Sequence, residues 1–521
     1  MEDWTAGYLT DVNYTYGVTR ELTPSILSFA SLVAGVAAPD VNGPLNYCEL
    51  GCGQGYASNL LAAANPHIEF HATDFNPAHI AGARGLAAAA GIGNIQFRDS
   101  SFAEFAAAED LPDFDIIALQ GIYSWVSTEN RGHIAEIIRK RLKPGGLVYI
   151  SYNTLPGWAS LMPLRRLMAD SIAATTGAPL IRLDQAMAQT QQLLDIGAAY
   201  FRATLVEQTF RGMASQNRSY LAHEYFNPNA APSYFADMAA EMRTAKLTYV
   251  GSAHMLDKID EIHFTAEQLA FLGSVSDPIQ REAMRDYILN QVFRRDIFVK
   301  GAVPLVPEEV QKRWLDMRFV MTSDRRDIPP TVYGTLGDAT LQAEVYEPLL
   351  EALAGGPVTM AQLLGHAQIA ALGWPRITQA LTVLVGMGHL QPALDEAGDA
   401  TRSVNVEKFN LAVIEKAKWS RDFEFLASPI TGGPIGLDRL SQLFLLAQHE
   451  GHRDAADFVW GVLSGTDTHI SKDGKRLETA EENLAELRPM FDDFSRKRFP
   501  ILASTGIKPL PVNAISLSAA E

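Results

Sequence analysis

With 521 residues the chain exceeds what a single core holds, which predicts two to four domains of about 100 to 200 residues each. Its composition is globular, 47% hydrophobic and 20% charged, and 60 acidic against 43 basic side chains leave a net charge of -17. That charge disfavours nonspecific attraction to phosphate backbones or anionic lipid, so no nucleic-acid partner is expected.

The start, Met1-Glu2-Asp3-Trp4, has no basic stretch, and no apolar run approaches the roughly 18 residues of a spanning helix. A cytoplasmic protein without membrane insertion is the expectation. Cys48 and Cys52 are the two cysteines. Four residues apart and without further ligands nearby, they read as small packing residues, not as a metal or disulfide site.

From Leu45 the chain alternates short apolar runs with helical stretches, as β-α-β units of a parallel sheet do. The runs are Leu45 to Leu50, Ile68 to Thr73, Ile95 to Arg98, Phe114 to Leu119 and Gly146 to Tyr152. Tyr56 to Ala64 and Pro77 to Ala90 are helix candidates, and Lys143-Pro144-Gly145-Gly146 punctuates the last helix before the last strand. Helical spacing continues from Leu161 to Phe210, and Tyr287 to Arg295 reads as an amphipathic helix. Ile328-Pro329-Pro330 is the candidate linker. Past it, helices at Leu341 to Ala354, Met360 to Leu364 and Ile377 to Met387, then a strand at His389 to Ala393, have the layout of a winged helix. Between Thr340 and Ala400, however, a single arginine, Arg376, faces six acids, which argues against groove reading and for an interaction role.

The turn Glu49-Leu50-Gly51-Cys52-Gly53-Gln54-Gly55 follows a strand and opens a helix. There, glycines let the backbone turn sharply and bring its N–H groups close to a ligand. The dinucleotide fingerprint needs its third glycine one residue later, where this chain has Tyr56. Acid-x-Gly-x-Gly-x-Gly instead resembles motif I of class I methyltransferases, which implies S-adenosylmethionine as cofactor and S-adenosylhomocysteine as product. Asp74 closes the second run at the spacing where a carboxylate meets ribose hydroxyls. Asp99 and Ser100 end the third, where the class places the adenine amino group, with Phe75 and Phe102 available to its faces.

After the fourth run come Gln120 and Gly121-Ile122-Tyr123-Ser124-Trp125-Val126. The Asn/Asp-Pro-Pro-aromatic tetrapeptide of base and glutamine methylation is missing, as is the carboxylate cluster of metal-assisted catechol chemistry, so no metal is implied. Several strings resemble the bacterial methyltransferases that carry a methyltransferase regulatory domain. They are Asp3-Trp4, Gly7-Tyr8, Tyr14-x-Tyr16-Gly17, Glu21-Leu22-x-Pro24, Gly121 to Val126, Ser151-Tyr152-Asn153-Thr154-Leu155-Pro156-Gly157-Trp158, His223-Glu224-Tyr225, Pro232-x-Tyr234-Phe235 and Leu426 to Gly433. The best characterised members are rickettsial-type protein-lysine methyltransferases, so the resemblance implies a protein substrate and permits a homodimer. Gln120 departs from it, standing where relatives carry histidine.

The expectation is therefore an α/β protein. A Rossmann-like methyltransferase core spans residues 1–160, a helical segment 161–215, a middle regulatory domain 216–330 and a winged-helix-like domain 331–521. The candidate cofactor residues are Glu49, Gly51, Cys52, Gly53, Gly55, Asp74, Phe75, Asp99, Ser100, Phe102, Gln120, Gly121 and Tyr16. Methyl transfer needs a neutral nucleophile held in line. Tyr152 and Asn153 are the candidates to orient an amine, with Tyr123 and Trp158, beside Tyr14, Tyr16 and Trp125, presenting aromatic faces to a cation. Protein-lysine N-methylation leads; a small-molecule, glycan or lipid acceptor, or a non-catalytic cofactor-binding scaffold, stands as the alternative. Arg20 either meets the cofactor carboxylate or pairs with Glu21.

Overall fold

The computed structural model describes residues 12, 14–202, 204–227 and 229–508. Asp3-Trp4 and Gly7-Tyr8 lie outside them. After helix α1 (Pro24–Val33), the alternating segment folds as β1 (Leu45–Leu50), α2 (Tyr56–Ala64), β2 (Ile68–Asp74), α3 (Pro77–Ala90), β3 (Ile95–Asp99), α4 (Phe102–Ala107), β4 (Phe114–Leu119), α5 (Thr128–Arg141) and β5 (Leu142–Leu155). Local chemistry sets these boundaries. Asn76 caps α3 with Pro77 behind it and Gly91 closing it in the left-handed conformation, while Ser101 and Glu104 form a capping box on α4. The glycine-proline turn expected before the last strand lies inside β5, as an irregularity where the register against β4 shifts between Phe114 and Ile116.

Helices α6 (Met162–Ala173), α7 (Pro179–Asp195), α8 (Thr204–Met213) and α9 (Arg218–Phe226) come next and share an apolar cluster of their own. The chain then returns to the sheet. A two-residue strand β6 (Ser233–Tyr234) pairs with the end of β5, α10 (Phe235–Thr244) leads into β7 (Leu247–Ser252), and α11 (Ala266–Ser274) and α12 (Pro278–Leu289) lead into β8 (Phe293–Lys300). The strand order is β3-β2-β1-β4-β5-β8-β7, with β8 antiparallel to both neighbours and β1 to β5 parallel, which is the expected Rossmann-like arrangement.

Two expectations are corrected here. The sheet does not end near residue 160, because β7 and β8 complete it, so the core reaches Lys300 with the helical segment inserted in it. And Tyr287 to Arg295 is not one helix. Asn290 takes a left-handed conformation (φ 48°) after α12, and Phe293 onward is drawn into the ladder between β5 and β7.

Beyond α13 (Pro307–Asp316), β9 (Arg318–Met321) and the hairpin β10 (Thr331–Gly334) and β11 (Gly337–Thr340) come α14 (Ala343–Leu353), β12 (Val358–Thr359), α15 (Met360–Leu364), α16 (Ala367–Ala370), α17 (Trp374–Met387) and β13 (Leu390–Ala393). β9 sits between β12 and β13, so this unit begins upstream of the proline pair expected to be its linker. Helix α18 (Asp399–Ile414) then packs on α2 and α3, and the hairpin β14 (Phe425–Ala427) and β15 (Pro434–Gly436) reaches α2. Every residue of α2 is buried as a result, with the sheet on one side and α18 on the other. Among the described residues no helix is long and apolar enough to cross a membrane.

Candidate active site

A cavity of about 380 Å³ opens at the carboxyl edge of the sheet, where the strand order reverses between β1 and β4. Across that edge it runs from Ser100, Ser101 and Phe102 after β3, through Asp74 and Phe75 after β2 and Gly51 to Gly53 after β1, to Gln120, Gly121 and Ile122 after β4. Tyr14 to Gly17 cross it from the N-terminal side, and Tyr220, His223 and Glu224 of α9 close it with Trp125 and Asn130.

The glycines of the turn are needed for two different reasons. Gly51 has φ 75° and lies where a Cβ would come within 2.6 Å of Ile122. Gly55 has φ 65°, and a Cβ there would meet Ala83 at 2.4 Å and Phe97 at 2.8 Å, so it serves helix packing and does not line the cavity.

Asp74 ties the turn together. Its Oδ2 accepts the Gly53 amide at 2.9 Å, and its Oδ1 accepts the Asn76 amide at 2.9 Å and faces His79 Nδ1 at 3.2 Å. The other imidazole nitrogen of His79, Nε2, is buried without a partner among the described residues, and His79 lines the cavity. An orphan polar atom there asks for a ligand to satisfy it. Glu49 is buried, bonded to the Ser58 hydroxyl. Burial raises its carboxyl to about 7, the Ser58 bond opposing and the Asp74 charge adding. Thus the cavity holds a carboxylate pair on β1 and β2, a serine pair after β3 and aromatic edges, a donor and acceptor set suited to an amino acid joined to a nucleoside.

Among the expected cofactor residues, Glu49, Gly51, Cys52, Gly53, Asp74, Phe75, Ser100, Phe102, Gln120, Gly121 and Tyr16 line this cavity together. Asp99 does not: it is exposed at the end of β3, leaving Ser100 and Ser101 at that end. Gln120 is held by the Tyr149 hydroxyl at 2.6 Å, and the Gly121 amide by the Ser151 hydroxyl at 2.7 Å.

Tyr152 and Asn153, expected to orient the acceptor, and Tyr123 and Trp158, expected to present aromatic faces to it, do not line this cavity. Tyr152 is buried on the opposite face of β5, and its hydroxyl is spent on Asp296 at 2.7 Å in a network with Arg294, Asp286 and Glu282. Tyr123 turns inward to bond Glu241, Asn153 donates its backbone amide to the Ser124 hydroxyl, and Trp158 packs against the α6–α9 cluster. Aromatic and titratable residues that do line the cavity are instead Tyr14, Trp125, Tyr220, His223 and Glu224. Tyr220 donates to Glu224 Oε1 at 2.7 Å, and Tyr14 meets the His223 ring edge-on at 5.0 Å. Burial raises the Glu224 carboxyl, against the Tyr220 bond and the Arg165 charge. Burial also pushes the Tyr14 phenol up to about 12, with Glu224 adding. Of the two roles open to Arg20, the structure shows the pair with Glu21, at 3.4 Å, and adds another. Its guanidinium also donates to Val385 O at 2.8 Å and Gly386 O at 2.6 Å at the end of α17.

Strand order and the cavity at the reversal point define an α/β methyltransferase architecture. Residues 42–196 match the family model of a methyltransferase domain, and residues 217–300 that of a predicted methyltransferase regulatory domain. An uncharacterized protein of Synechocystis sp. is 42% identical over 97% of this chain and 99% of its own length. Another, of Rickettsia prowazekii, is 28% identical over 93% of the chain and 91% of its own length. The solved structure of PKMT2 from Rickettsia typhi superposes with a TM-score of 0.68 at 18% identity, covering 93% of this chain and 98% of that one. The chain belongs to the family of methyltransferases that carry this regulatory domain.

Proposed function

We propose that the chain is a protein-lysine N-methyltransferase whose cofactor lies across Ser100, Asp74, Gly53 and Glu49 with its sulfur toward Gln120. The observation that carries the lysine reading is that Tyr14, Trp125 and Tyr220 line the cavity together with the Glu224 carboxyl, which accepts the Tyr220 hydroxyl at 2.7 Å. Aromatic faces beside a half-buried carboxylate suit an ammonium on an apolar stem. The solved PKMT2 of Rickettsia typhi, in complex with AdoHcy, supports the same direction.

S-adenosylmethionine, when bound, supplies an electrophilic methyl group. The chain's own residues then have three tasks. Asp74 and Glu49 hold the ribose and the α-amino group, fixing where the methyl points. Tyr14, Trp125 and Tyr220 strip water from the entering amine, which lowers its pKa from the ordinary value near 10.4. Glu224, whose carboxyl burial makes more basic than an ordinary glutamate, draws the ammonium in and accepts its proton, leaving the lone pair free.

The test is incubation of the purified chain with tritiated S-adenosylmethionine and cell-envelope fractions, followed by proteolysis and amino-acid analysis. Label in methylated lysine is expected; label confined to lipid or sugar overturns the reading.

A further inference from the structure

We infer that the C-terminal segment around Phe423 is a working part of the cofactor site, with Phe423 the positioning residue for the strap Tyr14–Thr19 that crosses the cavity. This rests on reading the cavity as the cofactor site.

The strap has no regular secondary structure, so its backbone has no ladder to hold it. On one side it lines the cavity, through Tyr14, Thr15, Tyr16, Gly17 and Thr19. From the other side it is gripped by residues hundreds of positions away. The Tyr16 ring lies against Phe423 at 4.4 Å, and Phe423 in turn meets Tyr56 edge-on at 5.1 Å. Tyr56 locks that neighbour in place: its hydroxyl donates to Phe425 O and accepts the Phe425 amide at 3.2 Å. Lys416 sits over the outer face of Phe423 at 5.5 Å. The strap's end is fastened separately by Arg20 to the carbonyls closing α17.

Phe423 and Phe425 do not line the cavity, whereas Tyr16 and Tyr56 do. The segment around Phe423 therefore reaches the cavity through these two tyrosines. A ligand that orders the strap from within meets a strap already ordered from behind, and affinity gains by the entropy not spent at binding. Reciprocally, bound ligand must tighten the docking of residues 423–427 by the same factor.

The experiment uses the full chain and S-adenosylhomocysteine as probe, by titration calorimetry with parallel urea unfolding. Phe423→Ala is expected to raise Kd about five- to tenfold, the worth of an aromatic pair, and Phe423→Tyr to restore it. Ser25→Ala is the control, removing a 2.8 Å bond to Thr431 O across the same interface away from the strap; it should leave Kd within about twofold. Should Phe423→Ala not fold, Phe423→Leu keeps the bulk without the ring and is expected to lose about threefold. In the wild type, ligand is expected to slow amide exchange at residues 423–427. Unchanged affinity in Phe423→Ala, or in Phe423→Leu where that stands in for it, an equal loss in Ser25→Ala, or no protection at 423–427 each overturns the inference. A wild-type chain that binds no S-adenosylhomocysteine removes the cofactor reading first and this inference with it.

Discussion

Replacing Asp74 with alanine separates two jobs that the structure gives one side chain. The carboxylate is nearly fully buried and already accepts the Gly53 and Asn76 amides at 2.9 Å each. Its remaining lone pairs are those proposed to take the ribose hydroxyls. A hydrogen bond to a charged acceptor contributes about 1.5 to 3 kcal/mol net, so losing one such contact raises the cofactor Kd about 10- to 150-fold. Removing the acceptor also orphans two backbone amides of the turn, costing about 1 to 3 kcal/mol of stability without ligand. Calorimetry with S-adenosylhomocysteine and with its 2′-deoxy analogue tells the two effects apart. Wild type should discriminate between these ligands by about tenfold or more, and Asp74→Ala should bind both equally weakly. Unchanged affinity for S-adenosylhomocysteine, or discrimination that survives the substitution, refutes the ribose assignment.

The Glu49 carboxyl, raised from 4.5 to about 7 by burial, gives a second prediction. A raised acid adds stability in its neutral form, fully present below pH 4.5 and lost as pH climbs to about 7. Glu49→Gln should therefore unfold at higher urea than wild type at pH 8, with the advantage gone by about pH 5. Because only the carboxylate pairs with the cofactor's ammonium, wild-type affinity should rise with pH through about 7 and stay flat in the variant. Tyr152→Phe should leave turnover within about twofold while costing about 1 to 3 kcal/mol of stability, since Asp296 loses a buried donor. A hundredfold loss of turnover in a protein of normal stability would return Tyr152 to catalysis. Glu224→Gln should lower kcat/KM for the acceptor about tenfold or more with cofactor affinity within about twofold, read by label incorporation.

The first five strands were legible because each apolar run is bounded by a local event, a cap or a glycine turn. The last two were not. β8 reads Phe-Arg-Arg-Asp-Ile-Phe-Val-Lys, and a strand with charges amid its apolar residues looks like a surface helix. It survives between β5 and β7 because Arg294 is met by Asp296, Asp286 and Glu282 from β8 and α12, a compensation visible only in three dimensions. The domain boundary near residue 160 failed for the same reason, since the strands closing the sheet arrive after a long insertion.

The site divides along the same line. Glu49, Gly51, Gly53 and Asp74 are tied to the cavity by backbone constraints within one β-α-β unit, and spacing alone finds them. Tyr152 failed because side chains alternate along β5 and residue 152 falls on the face packed against Phe235 and Phe298. His79 was missed although it lies five residues after Asp74, because its partner is a buried carboxylate and not a motif neighbour. Tyr220 was missed although His223-Glu224 beside it stood out. One helical turn separates Tyr220 from Glu224, which puts both on the same face of α9.

Tyr56 joins these two kinds of information. In the sequence its bulk rules out the dinucleotide turn; in the fold that bulk is the landing point of the C-terminal segment. Cutting the chain after Lys300 puts that landing point to the test, because the whole sheet and the cavity's lining residues are kept. Losing residues 301–521 bares α18's footprint on α2 and α3, including a helix whose nine residues are all buried in the full chain, and releases Tyr16 and Arg20 together. Exposed apolar surface of that kind drives association. The truncated chain should therefore elute as aggregate in size-exclusion chromatography and bind S-adenosylhomocysteine at least about tenfold more weakly in whatever monomer remains. A monodisperse fragment of residues 1–300 with full affinity would show that the strap holds its place unaided, and that the C-terminal half is packed against the site without serving it.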